Sequence, residues 1–137
     1  MQVIIFAIQG KRYGISSDDV IEISEPVEWN EIPQSPEWLI GLINLRGSVL
    51  SLINFEKFLN DSKETEELCY NSTIIVKHDK GKVAFATGTV TQVVEVNEAT
   101  IQWKDHHEEN AVKGYFSEGD FLVNMINLQT LFLKNEG

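Results

Sequence analysis

The residues best suited to chemistry form one cluster, Asp105-His106-His107-Glu108-Glu109. Imidazoles and carboxylates of this kind bind divalent metals or trade protons. Neighbouring histidines on a strand, however, point to opposite sides, and the His-Glu-x-x-His spacing of a helical zinc site is missing. The cluster reads as a solvated loop, with a metal-using enzyme at His106 and His107 as the competing reading. His78 follows an apolar run just before Asp79, the place of an exposed strand end. Cys69, the single cysteine, has Leu68 and Tyr70 beside it and no local histidine or cation to activate it, so a buried or half-buried thiol is expected. No Gly-x-Ser-x-Gly elbow and no Gly-x-x-x-x-Gly-Lys phosphate loop occurs. No catalytic residue, metal ligand or cofactor is assigned, and the balance moves from enzyme to binding module.

Binding chemistry is better represented. Between Ser35 and Asn54 the only cation is Arg46, beside Gly47 and flanked by aliphatic residues. A guanidinium so placed must either pair with a carboxylate or carbonyl from elsewhere in the fold or point outward to be used. The elements that place it are locally well punctuated. Ser35 suits an N-cap, Pro36 a first helical position and Gly41 a left-handed stop, which predicts one helical turn over Pro36 to Ile40. Leu42 to Leu45 and Val49 to Ile53 then predict two strands joined tightly through Arg46, Gly47 and Ser48.

The rest of the chain reads as short strands between turns. Val3 to Ile8 and Tyr13 to Ile15 predict an opening hairpin; Ser16 and Asp19 begin a brief helix that runs into a strand over Val20 to Ile23; Val27 to Gln34 is an extended loop. Asn54 caps a short helix over Phe55 to Leu59, and Asn60 to Glu67 reads as a mobile connector. Thr73 to Val76 and Val83 to Ala86 flank the turn Asp79-Lys80-Gly81-Lys82, and Thr87 to Val96, rich in threonine and valine, favours a strand. Tyr115-Phe116 and Phe121 to Ile126 flank a last turn, after which Asn127 caps a helix through Leu133. Phe6, Tyr13, Phe55, Phe58, Phe85 and Phe121 are core candidates, whereas Trp29 and Trp103 are candidate surface anchors. One echo stands out: both Asn54 and Asn127 end an apolar strand and cap a short amphipathic helix, 73 positions apart. Two similar β-rich halves follow from this, approximately 1–66 and 67–137 of one domain spanning 1–137, with strands open to exchange between them.

The totals narrow the partners. With 21 acidic and 11 basic residues the formal charge is -10, which repels phosphate backbones and anionic lipid and favours a monomer outside any assembly. Apolar residues make up 42% of the chain, enough for a core, yet no run approaches a membrane span and no secretion signal precedes it. A cytoplasmic protein is expected, without nucleic acid or membrane insertion.

At Gly41-Leu42-Ile43-Asn44-Leu45-Arg46-Gly47-Ser48-Val49-Leu50-Ser51-Leu52-Ile53-Asn54 the sequence resembles the CheW family of chemotaxis coupling proteins. Phe6-Ala7-Ile8 with Tyr13-Gly14-Ile15, Val20-Ile21-Glu22-Ile23, Ile32-Pro33, Ser35-Pro36-Glu37 and the closing Val123 to Leu131 stretch resemble the family in the same order, so nearly the whole chain is covered. The resemblance implies an all-β fold with a few short helices, two packed five-stranded SH3-like β-barrels, and a non-enzymatic scaffold. It implies a coupler between the cytoplasmic hairpin of methyl-accepting chemoreceptors and the regulatory domain of a CheA-type histidine kinase in a two-component signalling array. Carried over by position, the partner-binding residues are Val20, Glu22, Gly41, Arg46 and Val93. The 137 residues hold no kinase or receiver domain, which favours a freestanding adaptor. Ser51 and Asn54 stand where the family usually has proline and aspartate, and the acidic residue common before the second-half valine is missing from Thr87 to Gln92. These departures leave a scaffold of another CheA-type pathway, such as surface motility, as an equal alternative.

Overall fold

The computed structural model describes residues 1–60, 68–79, 81–104 and 111–136. The opening hairpin consists of β1 (Gln2–Ile8) and β2 (Lys11–Ser16). Its two turn residues, Gln9 and Gly10, both have positive φ (49° and 81°), the backbone twist that suits a two-residue connection between right-twisted strands. A single 3-10 turn over Ser17–Asp19 leads into β3 (Val20–Ser24). The same turn chemistry recurs at Arg46 (φ 52°) and Gly47 (φ 82°), between β4 (Leu39–Leu45) and β5 (Ser48–Asn54).

The helical turn expected over Pro36 to Ile40 does not form. Pro36 opens a reverse turn in which its carbonyl accepts the Leu39 N–H (3.0 Å), and the Ser35 hydroxyl donates to the Ile32 carbonyl (2.9 Å) instead of capping. The Trp38 carbonyl is taken by the Asn54 N–H at 2.8 Å, so sheet pairing claims this backbone before a helix can. Gly41 consequently lies inside a strand and ends no helix.

Asn54 behaves as its type predicts. Its side-chain oxygen accepts the Lys57 N–H (3.3 Å) at the start of α1 (Phe55–Asn60), which buries Phe55, Phe58 and Leu59. The Asn60 to Glu67 connector otherwise lies outside the described residues. Beyond it come β6 (Ser72–His78), β7 (Gly81–Thr87) and β8 (Val90–Glu95), then a 3-10 turn over Glu98–Thr100 and the two-residue β9 (Gln102–Trp103). The hairpin of β10 (Val112–Glu118) and β11 (Phe121–Ile126) leads to Asn127, which accepts the Thr130 N–H (3.1 Å) and caps α2 (Leu128–Glu136). Among the described residues no helix is long and apolar enough to cross a membrane.

The strands form a six-stranded sheet, β8-β1-β2-β11-β10-β9, and a five-stranded sheet, β3-β6-β7-β5-β4. They match the expected pair of small five-stranded units, the sixth strand being the short β9. The compact units are residues 1–18 with 90–137 and residues 19–89. Each half of the chain thus gives its first hairpin to the other half's strands: β1 and β2 join β8 to β11, while β6 and β7 join β3 to β5. The joints are parallel pairings, β2 with β11 and β7 with β5. The correspondence extends to register: β3 and β8 carry a bulge at the same place, with Glu22 opposite Ile75 as Gln92 is opposite Ile5.

Each unit has its own core. Val3, Ile5, Phe116, Val123 and Met125 fill one; Ile43, Leu50, Leu52, Ile75 and Ala84 fill the other. On β7, where Phe85 points to the opposite face from Ala84 and Ala86, Phe55 meets Phe85 edge-on at 5.3 Å, which places α1 against β7. Phe121 is the exception among the expected core aromatics. As the first residue after a turn it is 49% exposed, with the Arg12 guanidinium 4.0 Å above its ring.

Candidate partner-binding site

Four of the five expected site residues lie in the unit of residues 19–89; Val93, on β8, lies in the other and is 49% exposed. Strand β3 supplies Val20 and Glu22. Its alternation is the reverse of the simple rule, because Ile21 and Ile23 face solvent (47% and 39% exposed) while Val20, Glu22 and Ser24 are half-buried. Glu22 stands across from Ile75, a core residue, so its carboxylate shares the inner side of the sheet. A carboxylate there needs a partner.

Arg46 is that partner. From the tip of the β4–β5 turn its Nη1 donates to Glu22 Oε1 at 2.5 Å; the arginine side chain is 76% exposed and the glutamate 22%. Arg46 is therefore paired, and its planar donor fork still faces solvent. The left-handed backbone that holds it there is unusual for a long side chain.

Gly41 is buried, and its surroundings are its own chain. Asn30 and Leu42 exchange two backbone hydrogen bonds of 2.9 Å, which brings the Asn30 carbonyl onto Gly41. A Cβ at Gly41 would stand 2.9 Å from the Asn30 carbonyl carbon and 3.0 Å from Trp29 Cδ1. Trp29 remains 38% exposed and leans on Tyr70 with ring centroids 5.9 Å apart. Trp103, the other expected surface aromatic, is 49% exposed, with the Lys113 ammonium 5.8 Å from its ring.

Among the described residues, those with enzymatic potential are not assembled into a site. His106 and His107 lie outside the described residues. His78 ends β6 beside Asp79 at 3.7 Å, and the half-buried Cys69 donates to the Asn71 side-chain oxygen at 3.3 Å. Among the described residues no three His, Cys, Asp or Glu side chains come together in a way that could hold a metal ion. What the 19–89 unit offers is apolar area at Ile21, Ile23 and Val49, the last 65% exposed, and one rim ion pair. Protein-docking surfaces combine apolar contacts that supply area with charges that fix register. Sequence reasoning did not separate Ile21 and Ile23 from their neighbours, since an apolar run broken by one glutamate does not say which face the glutamate takes.

Comparison with known proteins points to one family. A family model described as CheW-like domain matches residues 2–136. A chemotaxis protein CheW of Bacillus subtilis is 28% identical over 98% of this chain and 81% of its own length, and one of Helicobacter pylori is 25% identical over 98% and 83%. Among solved structures, the scaffolding protein TtCheW from Thermoanaerobacter tengcongensis superposes with a TM-score of 0.81 at 26% identity, covering 99% of this chain and 90% of that one.

Proposed function

The chain belongs to the CheW-like domain family, and from that membership we propose that it is a non-enzymatic chemotaxis adaptor that couples the cytoplasmic hairpin of methyl-accepting chemoreceptors to the regulatory domain of a CheA-type histidine kinase. It works in the cytoplasm and is a monomer until it enters an array. The observation that carries the reading is the exposed Arg46 guanidinium held by Glu22, in a unit whose β3 also presents Ile21 and Ile23 to solvent. Glu22 and Arg46 set orientation, Val20 and Val93 add apolar area, and Gly41 acts from beneath. Titration of the purified chain with the cognate kinase regulatory domain tests the proposal; no binding at high micromolar concentration overturns it.

A scaffold role in another CheA-type pathway, such as surface motility, is the second reading. It is favoured by Ser51 and Asn54, which stand where relatives usually carry proline and aspartate. Asn54 keeps the helix cap and drops the charge. Binding measured in parallel against the kinases of both kinds of pathway separates the two readings.

A further inference from the structure

We infer that Gly41 and Tyr70 are positioning residues: they seat the strap of residues 25–38 across the open side of the five-stranded sheet, and the seated strap sets the approach of Glu22 to Arg46. The inference rests on the adaptor reading for its functional consequence, but not for its geometry.

Strands β3 and β4 are the two edges of this sheet, and no ladder joins them. Among the described residues the Glu22–Arg46 pair spans them, and the strap runs from the end of β3 to the start of β4. An exposed ion pair alone is too weak to hold two strand edges in place. The strap joins the same two edges through the backbone, so its own anchors matter.

There are two. At its start, a chain of hydrogen bonds runs from the Val27 N–H to the Tyr70 hydroxyl (2.9 Å), on to the Thr73 hydroxyl (2.5 Å), and from there to the Glu25 carbonyl (2.9 Å). Thr73 spends its one proton on Glu25, so the Tyr70 proton goes to Thr73 and its oxygen is left to accept from Val27. Thr73 is fully buried, and a phenylalanine at position 70 would leave the Val27 N–H without its acceptor and the Thr73 oxygen without its donor. In its middle, the strap is bonded through Asn30 to Leu42, at a place only a glycine at position 41 leaves open.

The other unit supplies an internal control. Gly114, 73 positions after Gly41, sits at the same bulge of β10, and a Cβ there would stand 2.8 Å from the Gln102 carbonyl oxygen. Yet that unit has Gln92 in the place of Glu22 and Gly119 in the place of Arg46. The glycine seat recurs where the ion pair does not, so the seat answers to the strap, and Gly41 needs no partner to explain it.

The test uses the full chain, isotopically labelled, with Tyr70→Phe and Gly41→Ala. In the free protein both variants are expected to speed amide exchange at Asn30 and Leu42 by about tenfold or more. Both should also shift the Arg46 side-chain Nε signal, while amides of the β5–β7 pairing keep their protection. Binding to the kinase regulatory domain should fall by about tenfold, and should not fall further when either substitution is added to Arg46→Ala. The inference is overturned if exchange at Asn30 and Leu42 and the Arg46 signal keep their wild-type values. It is equally overturned if the losses in binding are as large in the Arg46→Ala background as without it. Should Gly41→Ala fail to fold, Tyr70→Phe decides alone. Absence of binding by the wild-type chain would overturn the adaptor reading, and the free-protein measurements would still decide the seat.

Discussion

Arg46 and Glu22 join the two opposite edges of one five-stranded sheet. In the strand order β3-β6-β7-β5-β4 the glutamate sits on the first strand and the arginine at the end of the last, yet their charged atoms meet at 2.5 Å. Edges four strands apart can touch only if the sheet curls round on itself, so this single pair reports the barrel-like closure of the unit. It also leaves an exposed cation on a strongly acidic protein, the placement on which the proposed steering of a partner rests.

Reversing that cation separates steering from stability. Arg46→Glu removes an ion pair exposed on the arginine side and sets a second carboxylate beside Glu22, which costs about 1 kcal/mol because solvent screens the group at position 46. The melting temperature should stay within a few degrees of wild type. Affinity for the kinase regulatory domain should fall at least about tenfold, with a weaker salt dependence. Calorimetry of folding and of binding on the same preparation checks both halves; an unfolded variant would show that the arginine is a brace alone.

Arg46→Asn asks the converse. Asparagine accepts the left-handed backbone more readily than arginine, and Asn-Gly is the preferred sequence for this two-residue turn. Stability should hold or rise by a few tenths of a kcal/mol to about 1 kcal/mol, while binding is lost as in the charge reversal. Denaturant unfolding midpoints read the first effect and titration the second.

The two asparagine caps should be equivalent in effect. Asn54→Ala and Asn127→Ala each free an N–H in the first turn of a helix, that of Lys57 and that of Thr130. Each should cost about 1 kcal/mol in urea unfolding, and aspartate at either position should recover the loss.

Stability should also carry an alkaline slope from the amino terminus. The hydrogen bond from the Met1 ammonium to the Glu95 carboxylate holds the amine's pKa above its ordinary 8.0, against a smaller opposing effect of burial. A pKa raised by folding contributes stability in full below 8.0, and that contribution disappears as pH rises through the folded value. Unfolding midpoints followed from neutral to alkaline pH should therefore fall over that interval in wild type and change less in Glu95→Gln. Identical slopes would remove the amine from the account.

Legibility of this chain follows the distance over which each signal acts. Turns at Gln9-Gly10 and Arg46-Gly47 and caps at Asn54 and Asn127 rest on contacts within about four residues, and they stand where the sequence puts them. The exceptions are instructive. Ser35, Pro36 and Gly41 form a persuasive local helix grammar, but the Trp38 carbonyl is bonded to Asn54 and the Asn30 carbonyl needs the space at Gly41, so long-range pairing overrode the local preference. Phe121 looked like core by type and is not, because it opens its strand at a turn.

The sequence by itself determined the inventory: short strands, their turns, two capped helices, the guanidinium of Arg46 set among aliphatic residues and a family resemblance that runs the length of the chain. Only the tertiary structure decided that each half lends its first hairpin to the other, that Glu22 faces inward while Ile21 and Ile23 face out, and that Arg46 is at once paired and exposed. The reason is physical. Parallel pairing of β2 with β11 joins residues more than a hundred positions apart, and neither such a pairing nor the choice of buried face leaves a mark in any short stretch of sequence.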